Sequence, residues 1–338
     1  MIPARAAPPK KNRWSWRSKA FRSLLYQVIA VGLLIAAGAY LLNNTLANMR
    51  LRGIQSGFDF ITQPAGFSIG ESIIPFDSAE SYGKAFLVGL SNTLRVAVVG
   101  IVLATGLGTL IGIGRLSRNF LVRTICGAYV EFFRNVPLLL QLFIWYFILT
   151  ETLPPIEEAL RPLANVFFSK NGLQFPIPLW EGGFAGWDIP EKTELNVVGG
   201  GSVTPEYLTV LCGLTIYTAA YIAEIVRAGI QAVPYGQHEA SAALGLSRRM
   251  EVRLVLLPQA LRVIIPPLTS QYLNLTKNSS LAVAVGYPDL VSISNTSLNQ
   301  TGRAIECIAI IMACYLTLSL LTSWFMNTYN KRALLKER

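Results

Sequence analysis

Apolar and polar positions fall into long blocks along the chain. Six blocks are long and apolar enough to cross a bilayer, which takes roughly 20 helical residues. They are residues 24–42, about 86–113, about 126–149, 207 to about 225, about 260–275 and 305–325. The fifth contains Pro266 and Pro267 and is expected to be broken there. Residues 281–291 are semi-polar, with Gly286 and Pro288, and suit a bent partial segment rather than a full span. Residues 44–84 and 151–205 lack long periodicity and are rich in Gly, Pro and polar side chains. They read as outer-face loops with room for short interfacial helices, and Trp180 and Trp187 suit a membrane interface. The expected fold class is an all-α polytopic membrane protein with about six transmembrane helices.

Composition agrees. Of 338 residues, 52% are hydrophobic and only 14% charged, against about a quarter charged in soluble domains. The net charge of +10 is explained by where the bases lie. Lys and Arg stay on the cytoplasmic side of a membrane protein. The N-terminal tail holds Arg5, Lys10, Lys11, Arg13, Arg17, Lys19 and Arg22 without an acid. Arg115, Arg118 and Arg123 follow the second block, Arg248, Arg249 and Arg253 the fourth, and Lys331, Arg332, Lys336 and Arg338 the last. These positions alternate correctly with six spans. The segment between the third and fourth blocks is acidic, with Glu151, Glu157, Glu158, Glu181, Asp188, Glu191 and Glu194. Both termini are therefore expected in the cytoplasm, and the bases favour anionic lipid heads. No aromatic-interleaved basic patch points to nucleic acid. The first block also has the build of a signal peptide, but its apolar run and basic tail are long for one. Either reading leaves residue 43 onward outside.

The chemistry available is sparse. Cys126, Cys212, Cys307 and Cys314 lie in apolar or helix-like runs, without a CxxC pair, and read as small packing residues. His238 is the only histidine, so no metal site is expected. No G-x-x-x-x-G-K-[ST] phosphate loop and no nucleophile–base pair occurs. No catalytic residue is assigned, and no cofactor is expected in this chain.

The most informative stretch is 231–258, QAVPYGQHEASAALGLSRRMEVRLVLLP. Glu239, Ala240, Ala242 and Ala243 form a helix of small residues that Gly245 ends with a left-handed cap. A second helical stretch carries Arg248, Arg249, Glu251 and Arg253 and is expected to stop near Pro258. Small side chains let a helix enter a groove closely, and flanking charges set its register. The run E-A-x-A-A-L-G, with L-P thirteen residues after the Gly, resembles the EAA loop of ABC importer permeases. AYIAEIVRAGI at 220–230, Gly236-Gln237, Ser91-Asn92-Thr93-Leu94, EFFRNVP at 131–137 with Gln141, and KNSSL at 277–281 resemble the polar amino acid branch of that family. Ser241 inside the EAA core, and Asn278-Ser279 where members often have Thr-Ser, are departures that leave the physical roles intact. The extra first span and the 151–205 insertion resemble the larger permeases of general L-amino-acid transport systems.

The resemblance implies a chain organised as a basic tail (1–23), an extra transmembrane helix (24–42), a periplasmic loop (43–84), a permease domain (85–330) with an insertion at about 151–205, and a basic tail (331–338). It implies an inner-membrane permease subunit of a binding-protein-dependent importer of L-amino acids. Glu239, Ala240, Ala243 and Gly245 would couple it to a cytoplasmic ATPase, which binds the ATP and Mg. A second permease, expected to be a paralogue, and a periplasmic amino-acid-binding protein complete the assembly. An ion-gradient secondary transporter is the competing class, but mid-span acid networks and internal repeats are not seen.

Polar residues inside spans are candidates for the passage. Glu224 and Arg227, at i and i+3, read either as a cargo contact or as an intrahelical ion pair. Glu131 and Arg134 allow the same two readings and, placed at a cytoplasmic helix start, favour the structural one. Asn274, Thr276, Lys277, Asn278 and Ser279 follow the double proline and could line the passage with Asn92 and Thr93 facing them. The alternative for each is polar glue between helices. Gly108 and Gly112 form a G-x-x-x-G that suits close helix packing.

Overall fold

The computed structural model describes residues 18–51, 53, 56–181, 184–193 and 196–333. The tail residues 1–17 and 334–338 and Glu194, which entered the charge argument, lie outside them. The chain divides into two units, residues 1–57 and 58–338.

The first unit contains one long helix, α1 (Lys19–Leu51), whose 21–51 portion is apolar enough to cross a membrane.

The second unit is helical and carries four further single helices of that kind. Its first helix is α2 (Tyr82–Gly114), started by Ser81, whose hydroxyl accepts the Lys84 N–H. At 1.5 Å per residue, its 33 residues run about 50 Å. Helices α3 (Phe120–Asn135) and α4 (Leu138–Phe147) together form the expected third span, but bent by 105°. That span is thus not the single straight helix its apolar run suggested. Proline explains the break. Val136, preceding Pro137, takes extended angles (φ −94°, ψ 128°). Pro137 has no N–H to offer the carbonyl four residues back, at Phe133. The Gln141 amide donates instead to the Phe133 and Val136 carbonyls at 3.0 and 2.9 Å. Glu131 and Arg134 therefore sit near the C-terminal end of α3, Arg134 in its last turn before the bend, not at a helix start.

Helix α5 (Pro205–Gln231) begins at Thr204, an N-cap with proline in the following turn. It packs along α2 through glycines. A Cβ on Gly108 would lie 2.7 Å from Ile222 Cβ, and one on Gly112 2.6 Å from the Ala223 carbonyl oxygen. The G-x-x-x-G pair thus serves packing inside the subunit. Then follow α6 (Tyr235–Ala243), the short α7 (Arg248–Glu251) and a π-turn (Val252–Leu256) leading into α8 (Leu257–Asn278). Two expectations change here. Pro258 lies in the first turn of α8 instead of stopping a helix, and α8 continues through Pro266 and Pro267 without a break. Missing proline donors are tolerated where neighbouring helices and side chains surround the backbone.

Residues Ser279–Val285 form a 3₁₀ segment closed by Gly286 at φ +79°. This is the expected bent partial segment. Helix α9 (Leu290–Thr301) starts at Asp289, which caps the Ser292 N–H, and α10 (Ala304–Ala333) completes the bundle.

The 151–205 insertion differs most from expectation. Beyond one short 3₁₀ turn (Ile156–Glu158) it holds small antiparallel strands. Strands 160–163, 166–169, 172–175 and 201–203 make one sheet, and 177–181 pairs with 184–188. Trp187 is exposed on the latter hairpin. These strands are a minor addition to an otherwise helical fold.

Candidate functional site

Two ends of the second unit concentrate the predicted residues, joined by the α2–α5 pair. The first is the α6 end. Helix α6 stops at Leu244, and Gly245 follows at φ +69°. The Gly245 N–H donates to the Ala242 carbonyl at 2.9 Å and the Leu246 N–H to the Ser241 carbonyl at 3.1 Å. That pair of bonds is the Schellman closure, which favours a residue free of Cβ crowding at the left-handed position. Only Ser241 turns inward, its hydroxyl donating to the Gln237 carbonyl at 2.7 Å. Glu239, Ala240, Ala243, Leu244 and Gly245 are exposed. The predicted coupling residues thus form one projecting face. Behind it, Glu251 accepts from Arg248 at 2.9 Å and meets His238 Nδ1 at 2.5 Å. The Gln259 amide on α8 donates to Gln237 at 3.0 Å. These contacts hold α6 against α7 and the start of α8.

Nearby, Glu224 on α5 is bonded by both Arg115, just beyond α2, and Arg227. The structure gives Glu224 the intrahelical ion-pair arrangement and adds a cross-helix partner that spacing along one helix could not reveal.

The second is the α9 end. Asn92 and Thr93 are fully buried there. The Asn92 amide donates to the Glu71 and Pro288 carbonyls at 2.8 and 2.9 Å. The Thr93 hydroxyl donates to the Gly89 carbonyl at 2.9 Å and accepts the Leu290 N–H at 3.1 Å. From Asn92 to Arg115 is about 35 Å of α2 at 1.5 Å per residue, so these candidates and Glu224 do not share one site.

Between the ends, α5 and α8 enclose a cavity of about 300 Å³ lined by Tyr217, Thr218, Tyr221, Gln271, Asn274 and Asn278. The Tyr217 and Tyr221 hydroxyls are 3.1 Å apart, and the Arg134 guanidinium lies 5.1 Å from the Tyr221 ring centroid. Of the predicted passage residues, Asn274 and Asn278 line this cavity. Thr276 and Ser279 are buried and bond backwards to the Tyr272 and Thr276 carbonyls, and Lys277 is exposed. Sequence reasoning missed Tyr217, Thr218, Tyr221 and Gln271. The signal was present, because 271, 274 and 278 share a helix face and so do 217, 218 and 221. Among the described residues no group of three metal-ligating side chains occurs.

Comparison with known proteins agrees with this geometry. The family described as "Binding-protein-dependent transport system inner membrane component" matches residues 98–334. The general L-amino acid transport system permease protein AapQ of Rhizobium johnstonii is 42% identical, the match covering 96% of each chain. The glutamate/glutamine/aspartate/asparagine transport system permease protein BztB of Rhodobacter capsulatus is 38% identical over 94% of this chain and 95% of its own. A crystal structure of an amino acid ABC transporter with histidines covers 74% of this chain and 95% of its own, at 26% identity and a TM-score of 0.54.

Proposed function

The chain belongs to the family of inner membrane components of binding-protein-dependent transport systems, and from that premise we propose that it carries L-amino acids inward by alternating access. It is a multi-pass inner membrane protein and the permease subunit of an ABC importer, not itself an enzyme. The observation that carries the mechanism is α6: a short helix of small residues, glycine-closed, with its whole outer face exposed. A cytoplasmic ATPase grips this face through Glu239, Ala240, Ala243 and Gly245, and binds the ATP and Mg. Movement of α6 passes through the Gln237–Gln259 contact into α8 and through the glycine-packed α2–α5 pair. The cavity between α5 and α8 changes access as the helices rock, driven by the partners' different affinities for the two states. Both termini and α6 face the cytoplasm, and the α9 end faces the periplasm, where a binding protein delivers cargo. A second permease, a paralogue of this one, completes the passage. Names of relatives support amino acids as cargo.

The test is affinity purification of the full chain in mild detergent with mass spectrometry. An ATPase subunit is expected to co-purify and to be lost with Glu239→Lys and Gly245→Val. An ATPase retained by both variants would overturn the docking assignment, and the second permease, if a paralogue, is read from the same sample.

A further inference from the structure

At the α9 end a loop side chain fills a place suited to a free carboxylate. Glu71 lies between α2 and α5 and is 9% exposed. Its Oε1 accepts from the Arg95 guanidinium at 2.5 Å. Its Oε2 accepts from the Thr204 N–H at 3.3 Å and from the Thr204 hydroxyl. The Arg95 guanidinium lies 4.0 Å from the Tyr207 ring centroid, which holds it in place. Thr204 opens the 27-residue α5, whose N-terminal partial charge favours an anion. A guanidinium, a backbone N–H and a hydroxyl converging on one point are the donors a small carboxylate needs.

The surroundings also point to a ligand. The loop carrying Glu71 is pinned at its base, where Pro64 pairs with Ser81 and the Ala65 N–H donates to the Glu80 carbonyl at 2.7 Å. Its tip separates two clefts of about 500 and 410 Å³, and Glu71 and Thr204 line both. Arg95 lies in the first and Glu206 in the second. Lifting the tip, which breaks the 2.8 Å bond from the Asn92 amide to the Glu71 carbonyl, would join them into one cleft with a cation on one side and an anion on the other. One helical turn before Arg95, the fully buried Asn92 keeps its Oδ1 without a hydrogen-bond partner among the described residues. A buried acceptor left without a donor calls for an explanation, and an ammonium group supplies one.

We propose that Glu71 is a resident stand-in for the α-carboxylate of a free amino acid. With the loop lifted, Arg95 and Thr204 hold the cargo carboxylate while Asn92 Oδ1 and Glu206 face its ammonium. The inference rests on the importer reading above and adds a transit site separate from the Tyr217–Asn274 cavity. A tethered carboxylate competes at high effective concentration. The site therefore stays closed to dilute amino acids and yields only to cargo released directly above it. Return of Glu71 then displaces the cargo onward.

The test uses the purified full chain, with thermal unfolding and binding of radiolabelled L-glutamine as readouts. Glu71→Ala is expected to lower the unfolding midpoint, and acetate or L-glutamine to restore about 2–4 °C of it. L-Glutaminamide, which lacks the carboxylate, should restore none. Labelled L-glutamine should bind Glu71→Ala at least about tenfold more tightly than the wild type, and Glu71→Ala/Arg95→Met should lose both effects. Absence of rescue, or rescue that persists without Arg95, overturns the proposal. Should Glu71→Ala not accumulate, Glu71→Gln carries the binding test, because its neutral amide weakens the hold on Arg95 within the same shape. Its failure to bind more L-glutamine than the wild type also overturns the proposal. Co-purification of the ATPase from the wild type separates the two readings. An intact complex with no carboxylate effect sinks only the transit site.

Discussion

The α6 end and the α9 end are built by opposite rules. Around α6 itself the side-chain hydrogen bonds are short-range: Ser241 reaches four residues back, His238 meets Glu251 thirteen away and Gln237 meets Gln259 twenty-two away. The outer face is bare, with Tyr235 75% and Leu244 78% exposed. At the α9 end the bonds span the sequence. Tyr82 donates to Gln300, 218 residues away, and the Leu290 N–H reaches Thr93, 197 away. Its central polar groups are fully buried. A surface offered to a partner has to hold its shape before the partner arrives, so it is made from local bonds. A seal among helices needs no free face and can be made from long-range ones.

The sharpest way to break the comparison is at Gly245. A Cβ built at Gly245 meets no atom within 4 Å. The cost lies in the backbone, because φ +69° strains a β-branched residue by roughly 1–2 kcal/mol. Gly245→Val should abolish ATP-driven uptake into proteoliposomes while the protein still inserts and accumulates. Gly245→Asn, which tolerates the left-handed region better, should keep much of the uptake. Full uptake by the valine variant would mean that the Schellman closure is not what the partner reads.

Next in size is the link between the ends. At Gly112 a Cβ would lie 2.6 Å from the Ala223 carbonyl oxygen and 2.9 Å from Val226 Cβ, so backbone would have to move. Gly112→Val should destabilise by about 1–3 kcal/mol or more, seen as lost protein and a lower unfolding midpoint. Gly106, with no atom near its missing Cβ, should accept alanine silently. At the α9 end, Thr93→Val removes the acceptor of a buried N–H, a loss of roughly 1–3 kcal/mol. Unfolding should shift, whereas the set of amino acids competing for uptake should not. A change in competition would return Thr93 to the passage.

The α6 end was legible in the sequence because local bonds leave local patterns. The E-A-x-A-A-L-G run already contains its helix, its small face and its cap. Apolar length located the spans for the same reason. The α9 end was not legible. Nothing near Glu71 forecasts partners 24 and 133 residues away, and the bonds from Asn92 to Pro288 and from Thr93 to Leu290 join residues 196 and 197 positions apart, which no local pattern announces. The prolines show the same limit. Pro137 bends its span sharply while Pro266 and Pro267 leave α8 continuous, although each removes a donor. The surroundings decide the outcome, as the Gln141 amide does at the bend.

The smallest expected effect tests whether the α9 end is sealed at its rim as well as its centre. Arg303, 8% exposed at the side chain, donates from both terminal nitrogens to Asp59, at 2.6 and 3.0 Å. That hydrogen bond holds the Asp59 carboxyl below the usual carboxylate range. A group whose folded value is lowered binds fewer protons folded than unfolded. Its stabilisation is therefore complete above the unfolded value and is lost as pH falls through the folded one. Asp59 is 61% exposed, and solvent screens such pairs, so the effect should be slight. Between neutral pH and about pH 3 the unfolding midpoint of the wild type should fall a little more than that of Asp59→Asn, the two curves converging at the acid end. Asparagine keeps the shape but has no proton to gain in this range. Parallel curves would mean that the fork adds no stability through charge, and that the rim is held by packing of Phe60 against Tyr82 and Phe86.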